Sequence, residues 1–286
     1  MTAPTWFRRP RAWVELFAVA NLAFLAVDIF VAHSFNGFRH PAEWIPFVFS
    51  LVAPILLVAS MAVERSIEPL PSGFGWALGL AVGWTSVVIG VTGLVFHLLD
   101  TFFVEQTIKN LVYTAPFVAP LSYTGIGLLL LLDRMVEPRR EWAQWVILLA
   151  LGGFLGNFIL CLADHAQNGF FDPREWIGVT ASALAVGFLL AALLADESPL
   201  FLRLCRAVLL VQIAVGLLGF YYHAVAIRGG PMASLWENII YGTPAFAPLL
   251  FSNLALLALV GLWGLGQYPC PTSVGPLAFP PLDPTR

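Results

Sequence analysis

Charge is what this sequence has least of. Asp, Glu, Lys and Arg make up 11% of its 286 residues, less than half the share of about 25% in soluble proteins. A surface so poor in charge cannot be clothed in water. Cysteine is scarce too. Three are present, too few for a disulfide framework. Under the topology below, a bridge from Cys161 to Cys205 or Cys270 would have to cross the membrane, so free thiols are expected. Lys and Arg form no long run, and the net charge is −3. Both observations speak against a nucleic-acid partner. The sequence also lacks a Gly-rich phosphate loop, H-E-x-x-H, Cys-x-x-Cys and G-x-S-x-G, so the common motifs of soluble catalysis are missing. An enzymatic role is expected only as a membrane oxidoreductase subunit.

What the sequence does have is apolar length. Hydrophobic residues make up 59%, and a helix crossing about 30 Å of hydrocarbon needs about 20 of them in succession. Eight stretches qualify: 13–33, 45–63, 76–99, 114–132, 142–163, 177–195, 205–227 and 244–265. The fourth carries Pro116 and Pro120 in its first turns, where proline is tolerated because the missing N–H costs little. The first follows Arg8, Arg9 and Arg11 but is too long for a signal-peptide core, so it reads as a retained span. With the N-terminus inside, ten of the fourteen basic residues fall on inner segments: Arg8, Arg9, Arg11, Arg65, Arg134, Arg139, Arg140, Arg203, Arg206 and Arg286. Arg39, Lys109, Arg174 and Arg228 fall outside. Cytoplasmic basic residues set orientation, so the expected location is the inner membrane, with both termini cytoplasmic. The proline-rich stretch 267–286 reads as a short cytoplasmic tail with no fold of its own.

The chain also repeats itself. Residues 33–45 (HSFNGFRHPAEWI) match 165–177 (HAQNGFFDPREWI) at eight of thirteen positions, and 110–120 match 238–248 at five of eleven. Gly90, Gly93 and His97 recur as Gly216, Gly219 and His223. Matched His, Asn, Glu, Trp and Pro are not what apolar low complexity produces. The expectation is an all-α integral membrane protein of eight transmembrane helices, built as two tandem four-helix repeats, 1–135 and 136–266. Four spans per unit is even, so both enter the membrane in the same sense.

Four matched histidines reach the outer face: His33 and His165 end the first helix of each unit, and His97 and His223 lie in the last turns of the third. Glu43 and Glu175 follow in the matched loops. Asp28, Asp164, Asn110, Asn238, Tyr113 and Tyr241 stand as potential supporting groups. Imidazole is the commonest metal ligand, its second nitrogen usually held by a carboxylate or carbonyl. Two arrangements fit. His33 with His97, and His165 with His223, could each be a bis-His haem site, with Gly90, Gly93, Gly216 and Gly219 making room for the flat cofactor. Alternatively, all four histidines converge with Glu43 and Glu175 on Fe, Cu or Zn. The expected function is a haem- or metal-binding electron-transfer subunit, partnered by the bilayer and by periplasmic or membrane redox proteins.

Three other readings stand beside it. Asn21, Asn157 and Gln212 could line a transport path at the repeat interface. Short amphipathic stretches at 107–113 and 234–241 could dock a larger complex, making the chain a structural anchor. The histidines, with the Asn-Gly turns and interfacial tryptophans, could simply fasten loops.

Overall fold

The computed structural model describes residues 9–66, 73–194 and 198–267, with the side chains of residues 65 and 66 left aside. Cys270, the tail beyond Gln267, Arg8, Arg286 and the Arg65 side chain lie outside the described residues. Among those described there are ten α-helices and no strand. They are α1 (Pro10–Ser34), α2 (Trp44–Ser66), α3 (Phe74–Asp100), α4 (Ile108–Tyr113) and α5 (Leu121–Met135), then α6 (Arg139–Gln167), α7 (Glu175–Leu194), α8 (Pro199–Arg228), α9 (Leu235–Tyr241) and α10 (Leu249–Gly266). Seven of them, all but α4, α5 and α9, are long and apolar enough to cross a membrane. The chain is an all-α, multi-pass membrane protein by that measure. Its outward faces agree: Ile55, Val88 and Leu184 are more than half exposed, where a water-soluble bundle would place polar groups.

Two of the expected spans start later than apolarity alone suggests. Helix α5 begins at Leu121, seven residues into the stretch 114–132, and α10 begins at Leu249, five residues into 244–265. The residues before them form turns around Pro116 and Pro120, and around Pro244 and Pro248. Proline lacks the N–H that a helix interior needs, and an apolar window does not register that loss. Helix α5 is therefore 15 residues long, about 22 Å at 1.5 Å per residue, short of the hydrocarbon thickness by itself.

Within the first half α1 packs on α2, α2 on α3, and α3 on α5. Within the second, α6 packs on α7, α7 on α8, and α8 on α10. The α3–α5 and α8–α10 seams are close because glycine faces backbone. A Cβ at Gly90 would meet Thr124 N at 2.5 Å, and one at Gly216 would meet Ser252 N at 2.9 Å. Helix α1 meets α10 and α5 meets α6 across the halves. There Asn21 Nδ2 donates to Asn253 Oδ1 at 3.2 Å and to its own helix at Phe17 O, 2.8 Å. The short helices cross over: α9 lies against α1, and α4 against α6.

The α5 terminus is tied down by charge. Arg11 donates to the carbonyls of Asp133 and Val136, oxygens that a helix end leaves without an intrahelical partner. The Arg11 guanidinium lies 5.2 Å from the Trp142 ring centroid, and Trp142 Nε1 donates to Asp133 Oδ1 at 2.8 Å. Arg134, its side chain 4% exposed, pairs with Glu15 at 3.5 Å and packs against Gly79. This node joins α1, α5 and α6 at the end of the bundle opposite the histidines.

Candidate histidine–glutamate sites

Helix α1 ends one residue after His33, and the chain turns back through Gly37 and Phe38 at φ 68° and 52°. Helix α6 ends two residues after His165, and Gly169 and Phe170 take φ 74° and 54°. Left-handed φ is uncommon for a residue with a Cβ, so two phenylalanines held there need support. Phe38 N donates to His33 O at 3.1 Å and Asn36 Oδ1 at 3.1 Å, and its ring stacks on Trp44 at 4.4 Å. Phe170 repeats all three, with His165 O at 3.1 Å, Asn168 Oδ1 at 3.1 Å and Trp176 at 4.2 Å.

These turns aim a carboxylate at each histidine. Asn36 Nδ2 holds Glu43 Oε1 at 2.9 Å, and Asn168 Nδ2 holds Glu175 Oε1 at 3.3 Å. The other oxygen faces imidazole: Glu43 Oε2 is 3.7 Å from His33 Nδ1, and Glu175 Oε2 is 3.6 Å from His165 Nδ1. Both separations exceed a hydrogen bond, and both Oε2 atoms are buried without a hydrogen-bond partner. The second histidine of each half is fixed differently. His97 Nδ1 lies 2.9 Å from Pro116 O, and His223 Nδ1 lies 2.7 Å from Pro244 O. A carbonyl only accepts, so each Nδ1 carries the hydrogen and the neutral ring keeps its lone pair at Nε2.

The structure brings His33 and His97 together, ring centroids 6.3 Å apart at 77°, and sets His165 within electrostatic reach of His223. Among the described residues, no three His, Cys, Asp or Glu side chains stand close enough to hold a metal as they are. The glycine stripe lies against the starts of α5 and α10. The approach it allows is taken by α5 and α10: a Cβ at Gly93 would meet Pro120 Cβ at 2.8 Å, and one at Gly219 would meet Pro248 Cβ at 2.8 Å.

The other candidates fall around this centre. Asn110 Nδ2 donates to Glu105 O at 2.9 Å, and Asn238 Oδ1 accepts from Met232 N at 3.1 Å. Both asparagines thus shape the loops leading into α4 and α9. Tyr113 and Tyr241 are about half exposed, Tyr241 beside Phe35 at 5.5 Å. Asp28 sits within electrostatic reach of Tyr123, and Asp164 of Cys161. Cys161 and Cys205 are free thiols. In the α6–α7 loop, hydrogen bonds from the Arg174 side chain and backbone N–H hold the Asp172 carboxyl down at about 2, and Arg174 lies over the Tyr222 ring at 5.0 Å. Of the polar residues considered for a transport path, Asn21 pairs with Asn253 and Gln212 Nε2 donates to Ala181 O at 2.9 Å, while Asn157 Nδ2 and Gln212 Oε1 are buried without a hydrogen-bond partner.

Sequence reasoning missed the Pro116 and Pro244 carbonyls as imidazole anchors. The signal was present, because both prolines belong to the matched segment, but proline there reads first as a helix start. It also missed the Arg11–Asp133–Trp142 node, since arginines entered only as a measure of orientation. No protein-family model matches this chain, and neither curated proteins nor solved structures give a match.

Proposed function

We propose that this chain is a metal-binding, electron-transfer subunit of the inner membrane, with one site per half at its outer end. His33, His97 and Glu43 would serve the first site, and His165, His223 and Glu175 the second, with iron or copper as the ion. The architecture proposed with it is eight crossings in two tandem, parallel-oriented four-helix halves, 1–135 and 136–266. The recurrence of the Gly-Phe turn, the Asn–Glu contact and the His–Pro carbonyl contact at matched positions supports that duplication. In it, the turns before α5 complete the fourth crossing.

The observation that carries the metal reading is the buried carboxylate oxygen without a hydrogen-bond partner, facing an imidazole in both halves. A buried anionic oxygen left alone is costly, and a bound cation relieves that cost. The anchoring of His97 and His223 also follows the usual second shell of metal-bound histidine, in which one ring nitrogen meets a carbonyl and the other is left for the ion. Ring spacing sets the geometry. With a metal–nitrogen bond of about 2.1 Å, each ring centroid stands about 3.2 Å from the ion, so two ligating rings lie at most about 6.4 Å apart. The 6.3 Å of His33 and His97 is near that limit. Bending the two rings to a tetrahedral angle brings them about 1 Å closer and frees positions for the carboxylate and for solvent. A bare ion fits this better than haem, because α5 and α10 fill the glycine face.

Elemental mass spectrometry on the detergent-purified full chain tests the reading. The expected result is about one to two equivalents of iron or copper per chain, as for a site whose ligands are present at neutral pH. Replacing His97 and His223 together by alanine should remove it, and the absorption spectrum should show no haem. A metal-free protein from cells supplied with both metals would overturn the proposal.

A further inference from the structure

The second half carries small residues at its histidine end where the first half carries large ones. A groove of about 470 Å³ lies there between the last turns of α8, the short helix α9 and the turn before α10. That is the size of a small-molecule site. Two alanines of its wall make room. With His97 aligned to His223 and Pro116 to Pro244, Ala224 stands where the first half has Leu98, and Ala245 where it has Phe117. Phe220 and Phe246 continue the apolar wall. Leu235, 60% exposed, lines it from α9, so the groove opens outward.

One residue of the lining is charged. Arg228, the last residue of α8, stands at the end of the groove. Ending the helix does not call for that charge, because the first half has Phe102 at the matched position. Arg228 is exposed and, among the described residues, has no carboxylate within ion-pair distance. Glu237, the acid of α9, turns its Oε2 instead to Ser234 N at 3.1 Å. Phe220 lies eight residues before Arg228, about 12 Å along the helix, so the groove runs from the helix end into the apolar part of the bundle. Trp236, half exposed on α9, is the residue type that sits at headgroup level. The groove thus offers an apolar track with a guanidinium at its interfacial end. An acyl chain fits the track, and a phosphate fits the guanidinium, which binds it through two parallel hydrogen bonds. A zwitterionic headgroup brings its own cation beside Arg228 and weakens that pairing, whereas an anionic headgroup does not.

We propose that this groove holds an anionic phospholipid, one acyl chain lying along Ala224 and Phe220 and the phosphate resting on Arg228. This goes beyond the metal reading and does not rest on it. The test uses the detergent-purified full chain with equal amounts of phosphatidylglycerol and phosphatidylcholine of the same acyl chains, and counts retained lipid by native mass spectrometry. The expected result is about fivefold tighter retention of phosphatidylglycerol, the worth of one arginine beside an anionic headgroup. Arg228→Gln should erase that preference. Arg39→Gln, which removes an exposed arginine outside the groove lining, should keep it. Ala224→Leu with Ala245→Phe gives the second half the first half's residues and leaves Arg228 in place. That double variant, its helical circular dichroism unchanged, should lower retention of both lipids. Equal retention of the two lipids by the parent, a preference that survives Arg228→Gln, or unchanged retention by the filled variant would overturn the proposal.

Discussion

Glu43 and Glu175 are each held by one oxygen and left open at the other. Asparagine two residues before the turn phenylalanine fixes the carboxylate, and the free oxygen gives the imidazole its polar neighbour. Exchanging both glutamates for glutamine removes the negative charge while keeping a group that can meet Asn36 or Asn168. The expected result is a loss of metal affinity of about 10- to 100-fold with the helical circular dichroism unchanged, measured by competition with a coloured chelator. Unaltered affinity would assign the carboxylates to the loops alone. Trp142 makes a second residue-scale case. It is 2% exposed and its indole nitrogen is bonded to Asp133. Trp142→Phe leaves that buried carboxylate short of a donor, a loss of about 1–3 kcal/mol that should appear as a lower unfolding midpoint in detergent.

At the scale of helices, glycine decides which pairs approach. Gly90 and Gly216 face backbone atoms of α5 and α10, which cannot move aside as a flexible side chain can. Gly90→Val and Gly216→Val must push whole helices apart and should each cost about 1–3 kcal/mol or more. Gly152 and Gly187 provide the control, since an added Cβ meets nothing within 4 Å at either. Alanine there should be neutral or stabilising by up to about 1 kcal/mol, because glycine is a poor helix former. A thermal scan of the four variants separates the two classes. If Gly90→Val melted like the parent, the close α3–α5 seam would be wrong. The stripe of small residues was plain in the sequence as two faces of glycine at helical spacing. What fills it was not, because a sequence face can meet a cofactor, a lipid or another backbone equally well. Likewise, the apolar runs located the long helices, while the true starts of α5 and α10 depended on where prolines broke the hydrogen-bond ladder.

Across the whole molecule, polar contacts among the described residues tie the two halves together, Gln167 Nε2 donating to Val112 O at 2.9 Å among them. The Asn21–Asn253 pair joins α1 to α10, and the Arg11 node joins α1, α5 and α6. Hydrogen bonds between transmembrane helices average about 0.6 kcal/mol, so Asn21→Leu should lower stability only by about that much. Arg11→Ala should cost more, because it uncaps α5 and removes the cation over Trp142. A stability order reversed from this would show the halves held chiefly through the asparagines. The crossing of α9 onto α1 and of α4 onto α6 also puts each half's short helix against the other half's histidine-bearing helix.

The sequence by itself determined the membrane class, because eleven per cent charge leaves no other solvent for so apolar a surface. It also determined where the long helices run and which polar residues recur, since hydrocarbon thickness and identity between aligned segments are both one-dimensional quantities. It brought His33 toward His97 only as one of two arrangements. Tertiary structure decided the rest. Which carbonyl fixes His97 and what fills the glycine face both depend on contacts between separate elements of the chain. Those contacts are set by how α3 lies on α5 and α8 on α10, and no local pattern of residues encodes that placement.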